Sequence, residues 1–310
     1  MTDPTAKTAH QSAGTERPHS RRVGRICAAI GFYAVCAVIT VIAIFPFYWS
    51  LITSLRPTGS LGEISLLPGA MTLEHYKVVF QNPQTPVLRM LLNSLTVTFA
   101  GLFTNLFFGS LAAYSFAKIR FRGHKTLFNI MLISMMVPGV ITLIPTFLVM
   151  LRFPLAGGNN LMGQGGIGFY DSLAAVVLPG AIGVYAIFFM RQFFLTLSDD
   201  MAESARIDGA GEFRIFWVIY LPLVLPGLTT LGIFTFQGGW NNFMWPNIVL
   251  ISESNKLITM AFSAYQSPLT GVKYGPLMAL SMLMALPVLI LFAFAQKYFI
   301  KGVAIGASKG

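Results

Sequence analysis

Five of the eleven carboxylates in this 310-residue chain fall within one short stretch: Asp199, Asp200, Glu203, Asp208 and Glu212, interleaved with Arg206 and Arg214. Grouped carboxylates can move protons, hold a metal or pair with a basic surface. The first two uses lack partners here. The four histidines (His10, His19, His75, His124) are scattered, and both cysteines, Cys27 and Cys36, share one helix about 13.5 Å apart, too far for a disulfide. No GxSxG nucleophile elbow and no GxxxxGK[ST] phosphate loop occurs. Ion pairing with something outside the chain remains. A second chemical cluster, Gln237-Gly238-Gly239-Trp240-Asn241-Asn242, offers amides and an indole inside an apolar run. Amides and a stacking ring suit sugar hydroxyls and pyranose faces. The same residues suit helix–helix hydrogen bonds with glycines for close approach, and Asn93 and Asn129 pose the same choice.

The elements that carry these residues are membrane spans. Hydrophobic residues make up 55% of the chain and charged residues 10%, against about 25% charged in soluble domains. Uncharged runs predict an all-α polytopic membrane protein with six spans at about 27–52, 91–117, 127–151, 172–194, 219–250 and 275–299, each long enough for a ~30 Å hydrocarbon core. Pro138 and Pro145 predict a kink in the third, and Pro179-Gly180 a bend in the fourth. Before the second span, LEHYKVVF reads as a short amphipathic surface helix, and the glycine-rich loop 152–171 as a flexible polar excursion. Residues 1–25 read as a disordered tail and 301–310 as a short basic tail, flanking a six-helix transmembrane domain at 26–300.

Charge placement predicts sidedness. Of 21 Lys and Arg residues, 15 lie in the tails and in the loops on one side, including the acidic stretch, so both termini and that stretch are expected in the cytoplasm. The net charge of +10 reflects this asymmetry, not nucleic-acid binding. No Asp, Glu or His falls inside a predicted span, so a proton relay of the kind coupled carriers use is missing. Sodium coupling through backbone carbonyls stays open; otherwise active transport, if it occurs, must draw energy from another subunit.

Locally, Asp200 and Glu203 have capping-box spacing, and Gly209-Ala210-Gly211 predicts a break with positive φ followed by a second helical segment leading to Leu221-Pro222. The string ESARIDGAGEFRIFWVIYLP resembles the EAA loop of ABC importer permeases: Glu203, Ala205, Asp208, Gly209, Ala210, Ile219, Leu221 and Pro222 match, and Ser204 replaces an alanine with another small residue. NSL at 93–95, AAYSFAKIRFRG, WNNFMWP and the ending QKYFIKGVAIGASKG resemble maltose-type carbohydrate permeases, the smaller MalG-like member of a pair.

The resemblance implies a type I ABC importer permease fold, with 196–221 as a coupling loop seated in a cleft of an ATPase subunit, and Glu203 paired there with a basic residue. It implies a second permease, two ATPase subunits that bind ATP and Mg, an extracytoplasmic solute-binding protein and a sugar substrate. No cofactor or metal is expected in this chain, and no enzymatic activity. The alternatives are an importer permease for another solute, such as glycerol phosphate, or a stand-alone sodium-coupled carrier.

Overall fold

The computed structural model describes residues 18–60, 66–67, 69–267 and 271–307. They form two compact units, divided between Ser50 and Leu51. The first is most of helix α1 (Pro18–Leu55). Side chains 28–48 are exposed all round, among them Ile30, Tyr33, Val41 and Ile42, as suits a helix surrounded by lipid or a partner helix. Cys36 is exposed on it and not part of a core. The start of α1 at Pro18 moves the expected tail boundary back from residue 25; residues 1–17 lie outside the described residues.

The second unit begins, after the last turn of α1, with α2 (Glu74–Gln81), the expected amphipathic helix, which buries His75 and Val79. Next come α3 (Val87–Thr104) and α4 (Ser110–Lys118), joined without a break by a π-helical segment at Asn105–Gly109, and together these make the second span. The third span is a pair, α5 (His124–Ser134) and α6 (Gly139–Leu151), bent by 105°. A bend this large is a break, not a kink; it falls at Pro138, which has an extended backbone (ψ 130°) and cannot donate to a helical ladder.

The fourth span pairs α7 (Leu173–Val177) and its 3₁₀ continuation to Gly180 with α8 (Val184–Leu195), at 42°. Backbone groups freed at this bend are claimed by Asn105. Its Nδ2 donates to the Gly180 carbonyl at 2.8 Å and its Oδ1 accepts from the Gly183 N–H at 2.9 Å. A polar side chain in mid-span is thus satisfied by an irregular stretch of backbone, as hydrocarbon requires.

The acidic stretch holds α9 (Asp200–Ile207). Beyond it run α10 (Glu212–Arg214), a π-helical segment (Ile215–Tyr220) and α11 (Leu221–Leu223) as one continuous helix, meeting α12 (Leu225–Trp240) at 82°. The expected span 219–250 is therefore corrected. Val224 leaves the helical region (φ −94°, ψ 11°) ahead of Pro226, Asn241 ends α12, and α13 (Met244–Val249) is separate. A 3₁₀ helix at Ile258–Tyr265 and a two-residue antiparallel pair, β1 (Gln266–Ser267) with β2 (Gly271–Val272), lead to α14 (Tyr274–Ala307). Helical backbone to Ala307 replaces most of the expected tail from 301; residues 308–310 lie outside the described residues. Among the described residues, three helices are long and apolar enough to cross a membrane, and counting each of the three bent pairs as one span brings the number up to six.

The core follows from these pairings. α4 packs on α8, and α12 on α3 and α14. Around Tyr114, Met190, Phe194, Ala202, Phe216 and Tyr220 one buried cluster joins α4 and α8 to α9 and the π segment behind it. A second, around Met90, Phe236, Trp240, Tyr265 and Leu280, joins α3, α12 and α14.

The loop 152–171 is ordered where flexibility was expected. Buried Asn159 organises it, donating to the Leu151 and Phe153 carbonyls (3.0 and 3.1 Å) and accepting the Gly166 N–H (2.9 Å). Gly168, at φ +59°, sits so close to the Met150 carbonyl that a Cβ would lie 2.2 Å from it. Glycine is used here for compactness. We expect Asn159→Ala, which orphans three backbone groups, to cost about 2 kcal/mol and to open the loop to protease; limited proteolysis of the membrane-embedded chain checks this.

Candidate coupling site

Helix α9 is amphipathic in a way that separates two tasks. Ala202 is 1% exposed, and Ala205 and Ala210 pack against the same buried cluster. Glu203, Ser204, Ile207, Asp208 and Gly209 are exposed. Ile207 is 87% exposed, a large apolar side chain standing clear of the surface. Ser204 turns its hydroxyl back to the Asp200 carbonyl at 2.9 Å, so its departure from alanine adds no outward polar demand. Small residues let α9 lie close to the spans while its outer face presents an acid and an apolar knob.

The C-terminal end of α9 is fixed by a Schellman turn. Gly209, at φ +82°, donates to the Arg206 carbonyl (3.0 Å), and Ala210 donates to the Ala205 carbonyl (2.9 Å). The N-terminal end differs from the expected capping box. Asp199 is the N-cap residue but makes no side-chain cap bond. Its carboxylate instead meets Lys118 Nζ at 2.5 Å, and a cation outcompetes helix amides for it. Ser198 supplies the local turn, its hydroxyl accepting the Asp200 N–H at 3.2 Å. The hydrogen bond from Lys118 is the main cause that holds the Asp199 carboxyl below its ordinary range, with burial opposing. A lowered folded-state value means that this contact contributes above the ordinary carboxylate pKa of about 3.9 and is lost as pH falls through the lowered value.

Further side chains tie α9 to the spans. Lys118 also donates to the Leu197 carbonyl (2.6 Å) and lies 5.3 Å from the centre of the Tyr220 ring. Tyr220 donates to the Ser198 carbonyl at 3.1 Å. Beyond the glycine turn, Glu212 accepts from Arg206 Nε at 2.7 Å and from the Tyr114 hydroxyl at 2.6 Å. The hydrogen bond with Glu212 also raises the Arg206 guanidinium above its ordinary value, burial opposing. Sequence reading did not single out Tyr114, Lys118 or Tyr220, because their partners lie 22 to 98 residues away; Ser198 was missed although its side chain bonds locally to Asp200. At the end of the stretch, Leu221 packs on the buried cluster and Pro222 is exposed, in the first turn of α11.

The amide cluster is divided by the fold. Trp240 is 1% exposed, stacks on Phe236 at 5.9 Å and donates Nε1 to the Met284 carbonyl at 3.0 Å. Asn93 donates to the Ser254 and Lys256 carbonyls at 2.9 and 3.0 Å. Both side chains serve packing here. Gln237 and Asn241 are exposed one helical turn apart, and Asn242 is half-buried with its carbonyl accepting from Thr259. Asn129 is exposed on α5. Around Asn93, Arg89 also binds the Ser254 carbonyl (2.8 Å), and Asp171, at φ +55°, accepts the Ile251 and Ser252 amides. Burial pushes the Asp171 carboxyl up, but hydrogen bonds from the Ser252 hydroxyl and these amides outweigh it and hold it below its ordinary range.

Residues 86–305, more than two thirds of the chain, match the family model described as binding-protein-dependent transport system inner membrane component. The chain belongs to that family. This permease is 35% identical over 280 residues to the arabinooligosaccharides transport system permease protein AraQ of Bacillus subtilis, with 88% of this chain and 93% of AraQ covered. It is 28% identical to the lactose transport system permease protein LacG of Rhizobium radiobacter, covering 87% and 93%. In fold it resembles a chain from a bacterial ABC transporter involved in the import of the acidic polysaccharide alginate, with TM-score 0.74, 23% identity, and 91% and 99% covered. The permease is thus a helical inner membrane transport component, not an enzyme.

Proposed function

We propose that this permease is one half of the membrane pore of an ATP-driven importer of a sugar or oligosaccharide, and that residues 196–221 couple it to a separate ATPase. The observation that carries the reading is α9 itself, braced on its inner face by Ala202 and the flanking ion pairs and offering Glu203 and Ile207 outward. A short braced helix transmits rigid-body motion; a mobile loop does not. ATP and Mg belong to two ATPase subunits, and this chain holds no cofactor or metal of its own. A second permease completes the pore, and an extracytoplasmic binding protein delivers the solute. Both termini lie in the cytoplasm, in keeping with the 15 of 21 basic residues on that side.

The sugar class is supported by what AraQ and LacG are named for, and by the exposed amides Gln237 and Asn241 on an otherwise apolar helix. Of the cluster, these two suit a polar path best. Ile207→Asp is expected to weaken ATPase association about 30-fold, the loss of a ~2 kcal/mol anchor, and Glu203→Ala by a smaller factor. Co-purification of the ATPase with the full chain measures both. Unchanged association in both variants would refute the coupling role.

A further inference from the structure

The covalent path from α9 to the rest of the chain runs through Gly209-Ala210-Gly211, where two backbone hydrogen bonds, Gly209 to Arg206 and Ala210 to Ala205, hold the turn, and both tie it back to α9 alone. A hydrogen-bonded path crosses the same gap. Arg206, before the turn, donates from Nε to Glu212 Oε1 (2.7 Å) and from Nη2 to Oε2 (3.4 Å); Glu212, after the turn, accepts on Oε2 from the hydroxyl of Tyr114 on α4 (2.6 Å). Tyr114 is 1% exposed and wedged among Phe216, Tyr220 and Phe194 with ring centres 5.3 to 5.8 Å away. Four residues on, and so on the same face of α4, Lys118 grips the other end of α9 through Asp199 and the Leu197 carbonyl. One turn of α4 therefore holds both ends of the coupling helix.

We infer that Tyr114, Glu212 and Arg206 form a positioning latch that makes α9 and the end of the second span move as one body, bypassing the glycine turn. The inference rests on the coupling role proposed above and adds which span is driven. Apolar packing alone would allow α9 to slide, because its inner face is built of alanines; the directional bonds remove that freedom. About two turns further along the same span lies the π-helical segment Asn105–Gly109, a ladder defect of the kind often found at functional sites. It marks where motion imposed on α4 can be taken up.

The test measures whether α9 and α4 stay together when the ATPase works. Spin labels at Met201→Cys on α9 and Arg122→Cys in the turn after α4, in the full complex with Cys27→Ser and Cys36→Ser, report the separation without and with ATP plus vanadate. The wild-type latch should give one narrow distance that nucleotide does not change. Tyr114→Phe and Glu212→Ala should each broaden or shift it on adding nucleotide, while ATP hydrolysis stays within about twofold. Glu212→Gln, which keeps an acceptor for Tyr114, should be intermediate. The double variant Tyr114→Phe/Glu212→Ala should be no worse than Glu212→Ala alone, as for groups acting through one contact. If the ATPase co-purifies normally but Tyr114→Phe and Glu212→Ala keep the narrow, nucleotide-independent distance, the latch is wrong and the coupling role stands. If the ATPase fails to associate with the wild-type chain, the coupling role falls and the latch with it.

Discussion

Gly209→Pro is expected to reduce import at least tenfold while the chain still inserts into the membrane in normal amount. Gly209 sits at φ +82°, whereas the proline ring holds φ near −65°, so the substitution cannot be accommodated without unwinding the turn. It also removes the N–H that donates to the Arg206 carbonyl at 3.0 Å. Together these losses cost about 3 kcal/mol or more, confined to the end of α9. The spans keep their cores, so insertion is spared, but Ile207 and Glu203 no longer share one face. Gly209→Ala is the informative companion. A Cβ there meets nothing within 4 Å, so only the backbone preference of about 1–2 kcal/mol is lost, and import should fall by less. Proline at 209 with full import would show that the turn is not needed for coupling.

Trp240→Ala is expected to destabilise the folded chain by about 3–5 kcal/mol, the range for a large aromatic removed from a packed core. The indole fills the cluster shared by α3, α12 and α14 and spends its only donor on the Met284 carbonyl. Trp240→Phe keeps the ring against Phe236 and loses mainly that hydrogen bond, about 1 kcal/mol. Thermal denaturation in detergent should therefore rank alanine far below phenylalanine, and phenylalanine slightly below wild type. Phenylalanine at 240 with normal stability but sharply reduced import would instead place Trp240 on the solute path.

What could be read from the sequence was whatever is written over short range. Spans showed as uncharged runs, the bend at Pro179-Gly180 as punctuation, and the turn at Gly209 as a glycine after a helical pattern. The family showed in the string from Glu203 to Pro222. The misreadings concern long-range partners. Asp200 had the makings of a cap, but the helix begins on it, and Asp199, the N-cap residue, gives its carboxylate to Lys118, 81 residues away. Trp240 and Asn93 are polar groups in apolar runs, and sequence alone cannot tell whether carbonyls of Met284, Ser254 and Lys256 will satisfy them. The loop 152–171 is glycine-rich because its backbone packs on itself around Asn159, a use of glycine that composition does not distinguish from flexibility. Ile207 carried a signal that was overlooked: an isoleucine between Arg206 and Asp208 on a polar helix, with no apolar partner at helical spacing on its own face.

The coupling role is tested most directly by what Ile207 touches in the assembled transporter. With Cys27→Ser and Cys36→Ser, Ile207→Cys should react readily with a water-soluble maleimide in the isolated permease, as 87% exposure requires. In the complex it should be shielded, and a short bifunctional cross-linker should join it to the ATPase subunit. Free labelling of position 207 in an intact, ATP-hydrolysing complex, with no cross-link to the ATPase, would contradict the assignment of α9 as the point where energy enters.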